Sequence, residues 1–174
     1  VKGGERVEET RAKELDRLIR AYGDDLMRIS FVHLKDLHLA QDAVQDAFLK
    51  AFRKLEDIKE KDEAQKKAWL IRITINTCRD YRRSAWFKRV DRRITPEELP
   101  DRFQPDPQDD IDILSEVMRL PLPLRQVILL TYYQDMDAAS SAQTLGISRA
   151  SYYRRLKKAH NILKTNAERW YSHA

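Results

Sequence analysis

Over residues 68–83 the chain runs without a single Gly or Pro, and no other stretch constrains its fold as much. It reads as one amphipathic helix. Leu70, Ile73, Thr77 and Tyr81 fall along one side at helical spacing, with Trp69 and Ile75 widening the apolar surface. The other side carries Arg72, Asn76, Arg79 and Arg83 at i, i+4, i+7 and i+11, with Trp86 one step further. A basic stripe that holds one amide and ends in an aromatic is a candidate platform for single-stranded or melted nucleic acid. Cations follow phosphates, an Asn amide pairs with a base edge, and rings stack on unpaired bases. The plain alternative is a solvated charged face.

The composition agrees with helix. Four Gly and six Pro in 174 residues leave little material for a many-turned β fold, whereas runs of Ala, Leu, Lys, Arg, Glu and Gln favour an all-α chain. A net charge of +5 points to an anionic partner. No apolar run approaches the length of a bilayer span and no signal peptide precedes the first helix, so the expectation is a cytoplasmic protein with no membrane insertion. The single cysteine, Cys78, excludes an internal disulfide framework, fits a reducing compartment and reads as a small core residue. Residues 1–4 read as a flexible end.

A helical pattern covers residues 9–32, with Leu15, Leu18, Ile19, Tyr22, Leu26, Ile29 and Phe31 as its apolar positions and Gly23-Asp24 as a possible start of a second segment. After a break over residues 34–39 comes a second strong helix, over residues 40–55. Its buried stripe is Ala40, Val44, Ala47, Phe48, Ala51 and Leu55, and its opposite side shows Asp42, Gln45, Asp46 and Leu49. A carboxylate–amide row holding a Leu is a candidate docking surface for a basic, partly apolar partner; the bland reading is ordinary surface. Residues 58–67 read as a polar connection. Past the helix at 68–83 lies a basic run, Arg82, Arg83, Lys88, Arg89, Arg92 and Arg93, and then the charge reverses. Residues 95–101 and 105–110 are acidic, Pro-rich and without periodicity, which marks a linker. The organisation expected is a helical module over 9–93, a linker over 94–112 and a second helical module over 113–171.

In the second module Ile113, Leu114, Val117, Met118 and Leu120 form a short helix ended by Pro121, and Pro123 opens another that runs through Val127, Ile128, Leu130 and Tyr133. Asp137 is placed to cap a third helix containing Ala138, Ala142 and Leu145. Gly146 supplies its stop, Ile147 plugs the turn, and Ser148 caps a fourth helix. That helix buries Tyr152, Leu156, Ala159 and Leu163 and turns Arg149, Tyr153, Arg154, Lys157 and Lys158 outward. A short helix, a Gly-containing turn and a basic helix form the layout of a DNA-binding helix-turn-helix.

With these residues in place the chain resembles the bacterial sigma-70 family of RNA polymerase sigma factors, in its extracytoplasmic-function (ECF) group. Residues 40–48 are similar to the family's region-two helix that docks on the polymerase clamp. Trp69-Leu70, Ile73, Asn76, Asp80 and Arg83 match the helix that melts promoters and reads the −10 element. Leu120-Pro121, Arg125, Val127, Ala142, Leu145-Gly146-Ile147-Ser148 and Ser151 match region four, which reads the −35 element. The resemblance covers residues 15–164. It departs from the family at Ser140-Ser141-Ala142, where Glu-Ile-Ala is usual, and at Tyr152, where a small β-branched residue is usual and a tyrosine demands more room.

The resemblance implies a transcription initiation factor, not an enzyme, whose partners are core RNA polymerase, promoter DNA and an anti-sigma factor, with no cofactor and no metal. It implies that Asp42, Gln45, Asp46 and Leu49 meet the polymerase. Arg72, Asn76, Arg79, Arg83 and Trp86 would hold the −10 strand, with Asn76 and residues 60–67 lining a pocket for a flipped base. Arg149, Tyr153, Arg154, Lys157 and Lys158 would address the −35 element. The acidic linker resembles the segment that threads the polymerase's RNA-exit path. Two rivals from the residues alone are a regulator that binds duplex DNA unaided and a nucleic-acid enzyme using His38, Asp42 and Asp46 as metal ligands; no Walker loop, HExxH pair or nucleophile triad supports the second.

Overall fold

The structure, a computed structural model, describes the backbone of residues 2–84 and 111–173 and the side chains of residues 8–84 and 115–166. Trp86, the basic residues from Lys88 to Arg93 and most of the expected linker lie outside the described residues. The chain divides into two compact units, Val1–Asp91 and Arg92–Ala174. The described residues of both are helical, with no strand among them.

The first unit is built on α1 (Lys2–Leu34), α2 (Leu37–Arg53), a 3-10 turn (Leu55–Ile58) and α3 (Glu63–Arg83). Each of the three helices packs against the other two. The helix α1 begins at Lys2 and runs unbroken through Gly23, so the second start at Gly23-Asp24 is not seen, and residues 2–4 of the end read as flexible are helical. A Gly inside a helix costs roughly 1 kcal/mol against Ala. Burial of Leu18, Leu26, Met27 and Ile29 on either side of Gly23 readily offsets that. Between α1 and α2 the chain turns at Lys35, which has a positive φ of 54°, and at Asp36, whose Oδ1 accepts from the Leu39 backbone N–H at 2.9 Å.

The small residues Ala40, Ala43, Ala47 and Ala51 of α2 are buried, which permits close approach of its neighbours. Its C-terminal end is covered by Arg11 of α1, which donates from Nη2 to the Phe52 carbonyl at 2.7 Å. The same guanidinium lies 4.8 Å from the Phe52 ring centroid. A cation at a helix C-terminus and over a ring face is favourable on both counts.

α3 starts earlier than the sequence pattern implies. Residues 63–67 are helical, and only residues 59–62 form the connection. Asp62 accepts from the Gln65 backbone N–H at 2.8 Å while Gln65 Oε1 accepts from the Asp62 backbone N–H at 3.3 Å, a capping box that sets the first turn. The buried face is also rotated from the expected one. It centres on Ile71, Thr74, Ile75 and Cys78, flanked by Leu70 and Thr77, while Ile73 and Tyr81 are half-buried. The reason is hydroxyl chemistry: Thr74 and Thr77 donate back to the Leu70 and Ile73 carbonyls at 2.9 and 3.0 Å, so both enter the core with their polar atoms satisfied.

The second unit comprises α4 (Ile111–Arg119), α5 (Leu122–Ile128) running into a π turn (Leu129–Tyr133), α6 (Ala138–Leu145) and α7 (Arg149–His173). Val117, Leu120, Leu124, Ile128 and Ala159 form its core, with Leu156, Ile162 and Leu163 packed on it. The π turn closes with the Gln134 backbone N–H on the Leu129 carbonyl at 3.1 Å. It is followed by Asp135 at φ 50°.

Candidate nucleic-acid and polymerase interfaces

Three exposed faces emerge, two on the first unit and one on the second. On α2, Asp42, Gln45 and Leu49 are exposed, and Leu49 retains 56% of its surface despite being apolar. Asp46 differs from its neighbours. It is half-buried, and its Oδ2 accepts from the Tyr81 hydroxyl of α3 at 2.8 Å. One turn along, Lys50 reaches the Thr77 hydroxyl at 3.1 Å and Asp80 Oδ2 at 3.5 Å. Of the four residues grouped by spacing, three are open and the fourth is also part of the α2–α3 contact. His38 and Asp42 are exposed, and among the described residues no three His, Cys, Asp or Glu side chains gather as a metal site would need.

On α3, Arg72, Asn76 and Arg83 are exposed and Arg79 is half-buried, so the stripe lies on the side away from the core. Arg79 Nη1 donates to Asn76 Oδ1 at 3.1 Å. That bond uses one of the two lone pairs on the amide oxygen and orients the amide, whose NH2 can donate. Trp86, the last member of the stripe, is outside the described residues.

The residues expected to continue the pocket behave differently. Lys66 is held by Glu14 at 3.4 Å and Glu63 at 3.5 Å, and Lys67 by Asp25 at 3.2 Å. Arg17 joins the same cluster through Glu14 at 2.9 Å and Glu63 at 3.1 Å, and the Tyr22 hydroxyl donates to Glu63 at 2.7 Å. The Arg17 hydrogen bond, with help from Tyr22, draws the Glu63 carboxyl down to about 2. Burial, reinforced by the bond to Glu63, pushes the Tyr22 phenol up to about 12. Glu63, Lys66 and Lys67 therefore tie the start of α3 to α1, while residues 59–65 remain exposed, 59–61 of them in the connection ahead of the helix. Spacing could show the i,i+3 pairs Glu14–Arg17 and Glu63–Lys66, but not the links between α1 and α3, whose partners meet only across the fold.

The third face is on the second unit. Asp137 Oδ1 accepts from the Ala139 and Ser140 backbone N–H groups at 2.8 and 2.9 Å, and its Oδ2 accepts from the Ser140 hydroxyl at 2.6 Å. These bonds, the Ser140 hydroxyl first, hold its carboxyl below the usual range. Asp137, three residues before Ser140, is thus the N-cap of this helix. Ser141, at the usual apolar position, is fully buried with its hydroxyl 3.5 Å from the Met136 carbonyl. Gly146 takes φ 69°, and the Ile147 and Gly146 backbone N–H groups return to the Ala142 and Gln143 carbonyls at 3.0 and 3.1 Å. Ser148 then caps α7 by accepting from the Ser151 N–H at 3.1 Å.

The room that Tyr152 needs is found under α5. Its ring is buried, and its hydroxyl meets Thr131 Oγ1 and the Val127 carbonyl, the latter at 3.4 Å. Tyr153 stacks edge-on against it with centroids 6.1 Å apart and stays half-exposed. Arg149, Arg154, Lys157 and Lys158 are exposed beside it. Arg154 and Lys158 share a shallow cleft with Ser151 and Arg155, two residues that the outward-facing set leaves out. Their spacing carried the signal, since 151, 154, 155 and 158 stand one turn apart on a helix. Further along, the Tyr132 hydroxyl meets His160 Nε2 at 2.7 Å.

The comparisons with known proteins agree with this arrangement. A profile of sigma-70 region 2 matches residues 18–88. The ECF RNA polymerase sigma factor SigL of Mycobacterium tuberculosis is 30% identical over 155 residues, covering 84% of this chain and 87% of that protein. The ECF RNA polymerase sigma factor SigM of Bacillus subtilis is 26% identical over 157 residues, covering 86% and 93%. Among solved structures, the sigma factor RpoE of Bartonella quintana, crystallised with the anti-sigma factor NepR, shares the fold with a TM-score of 0.71 at 19% identity, over 90% of this chain and 98% of that one. CnrH, solved in complex with the cytosolic domain of CnrY, shares it with a TM-score of 0.63 at 23% identity, over 90% and 89%. With a region-two profile over the helices that carry the α2 and α3 faces, and a 30% relative that spans both units, the chain belongs to the ECF group of the sigma-70 family of RNA polymerase sigma factors.

Proposed function

We propose that the two helical units divide the work of a sigma factor. The first unit, as sigma region two, docks on core polymerase and opens the −10 element; the second, as sigma region four, reads the −35 element. Initiation on promoters is the family's function. Its residue-level assignment to this chain is our reading. The single observation that carries it is α3, which buries one side in the core and leaves Arg72, Asn76 and Arg83 open on the other.

Asp42, Gln45, Asp46 and Leu49 meet basic residues and an apolar groove of the polymerase, where charge complementarity steers docking and Leu49 supplies a desolvated anchor. Arg72, Arg79 and Arg83 follow the backbone of the melted strand, and Trp86 offers a stacking surface. Asn76, with its carbonyl held by Arg79, donates to an acceptor on an unpaired base. Residues 59–61, exposed between the 3-10 turn and the capping box, complete the pocket's rim. Arg149 binds phosphate at the start of α7, while Tyr153, Arg154, Lys157 and Lys158 enter the major groove, with Ser151 and Arg155 alongside. No step of this cycle is bond-making chemistry by the chain itself. The protein works in the cytoplasm, where an anti-sigma factor sequesters it, as NepR accompanies RpoE. The acidic, Pro-rich sequence over residues 94–112 is read as the linker between the units, its last two residues already belonging to α4.

Transcription from a randomised promoter library, with core polymerase present or absent, tests the proposal. Initiation requires both proteins and selects a two-block consensus, and Asn76→Ala relaxes one position of the −10 block only. Tight sequence-specific binding to duplex DNA without polymerase, and no initiation with it, would refute the reading.

A further inference from the structure

Asp46 is the one member of the α2 docking face that the fold itself engages. Tyr81 approaches it from α3. The phenol ring packs on a buried cluster of Leu34, Ala43 and Cys78, so the ring's position is set by the core. From there its hydroxyl donates to Asp46 Oδ2 at 2.8 Å, leaving Oδ1 to accept from outside. Lys50 makes a second crossing one turn away, to Thr77 and Asp80, which fixes the register of α2 on α3. Burial first, and then the Asp46 carboxylate, push the Tyr81 phenol up to about 12, so it keeps its proton and remains a donor at physiological pH.

We propose that Tyr81 is a positioning residue for polymerase docking: its hydroxyl holds one oxygen of Asp46 so that the other is presented, already oriented, to a cation of the polymerase. A carboxylate on an exposed helix samples several rotamers, and docking must select one. Tyr81 makes that selection before the encounter. Because it stands on α3, opposite the Arg72–Asn76 stripe, the polymerase contact and the strand-holding helix share one hydrogen bond. The inference rests on the reading of Asp46 as a polymerase contact.

The test is a double-mutant cycle on the affinity of the full chain for core polymerase, with Tyr81→Phe, Asp46→Asn and the pair. Phe keeps the ring's packing and removes only the donor. Losing one charge-assisted, pre-oriented contact is expected to weaken binding about fivefold in Tyr81→Phe. In the Asp46→Asn background the same change should have an effect of less than about twofold, since the two act as one unit. Tyr81→Phe should also flatten the salt dependence of binding, because a poorly aimed carboxylate contributes less charge pairing; a merely structural lesion leaves that slope unchanged. Additive effects, an unaltered salt slope, or a Tyr81→Phe chain that binds as the parent does would overturn the inference alone. An Asp46→Asn chain that binds core as the parent does would overturn the polymerase contact and the inference together.

Discussion

Tyr152 ties the stability of the second unit to α7, the helix proposed to read the −35 element. The perturbation is Tyr152→Ala, with Tyr152→Phe beside it. The side chain is 1% exposed. Burying roughly 200 Å² of aromatic side chain at about 25 cal/mol per Å² is worth about 5 kcal/mol as an upper bound. Truncation of large core aromatics to Ala costs about 3–5 kcal/mol in practice. The hydroxyl is a smaller matter. Thr131 Oγ1 also donates to the Val127 carbonyl at 2.7 Å, so Phe at 152 strands no buried partner. Its loss should cost about 1 kcal/mol.

For a unit this small, 1 kcal/mol moves the melting temperature by about 4–8 °C. Calorimetry of the full chain should therefore show the second unit's transition about 4–8 °C lower in Tyr152→Phe. In Tyr152→Ala that transition should be displaced by tens of degrees or abolished, while the first unit's transition stays in place. Binding of polymerase holoenzyme to promoters should lose its −35 preference in Tyr152→Ala and keep it in Tyr152→Phe. A Tyr152→Ala chain whose second unit melts within a few degrees of the parent would refute the argument, since it would mean the ring is not part of the core.

Two further outcomes follow from local geometry. Gly146→Ala meets no neighbour within 4 Å of the added Cβ, so its whole effect is the left-handed backbone, φ 69°. It should destabilise the second unit by about 1–2 kcal/mol, read from the same calorimetric transition. Glu63 titrates far below its ordinary value because Arg17 and Tyr22 favour its charged form. Its contribution is therefore complete above pH 4.5 and is lost as the pH falls from there toward 2. Acid titration of the first unit's melting temperature should be shallower in that window for Glu63→Gln, and a parallel fall in both proteins would refute the assignment.

How far the sequence carried can be seen at individual residues. The helix caps Asp137, Gly146 and Ser148 were legible because capping is local chemistry, decided within four residues. The outward set on α7 was legible because a helix alternates its faces with a fixed period. On α3 the same period placed the exposed stripe but misplaced the buried face, since it cannot tell a threonine that returns its hydroxyl to the backbone from one that faces water. Asp46 looked like Asp42 and Gln45 in the sequence and differs from them only because Tyr81 arrives from 35 positions away. The segment at 58–67 read as a connection because its charges hid a helix start; Lys66 and Lys67 are charged to pair with α1, not to stay in solvent.

The four-residue link before α3 has one more consequence. Ile58 is sunk in the core at one end, and Asp62 and Gln65 cap the helix at the other. Lys59, Glu60 and Lys61 lie exposed between these two fixed posts. Substitutions there are close to neutral for folding, so selection on stability hardly sees them. If promoter reading passes through this rim, it is where a lineage can drift toward a new set of genes while the scaffold stays as it is.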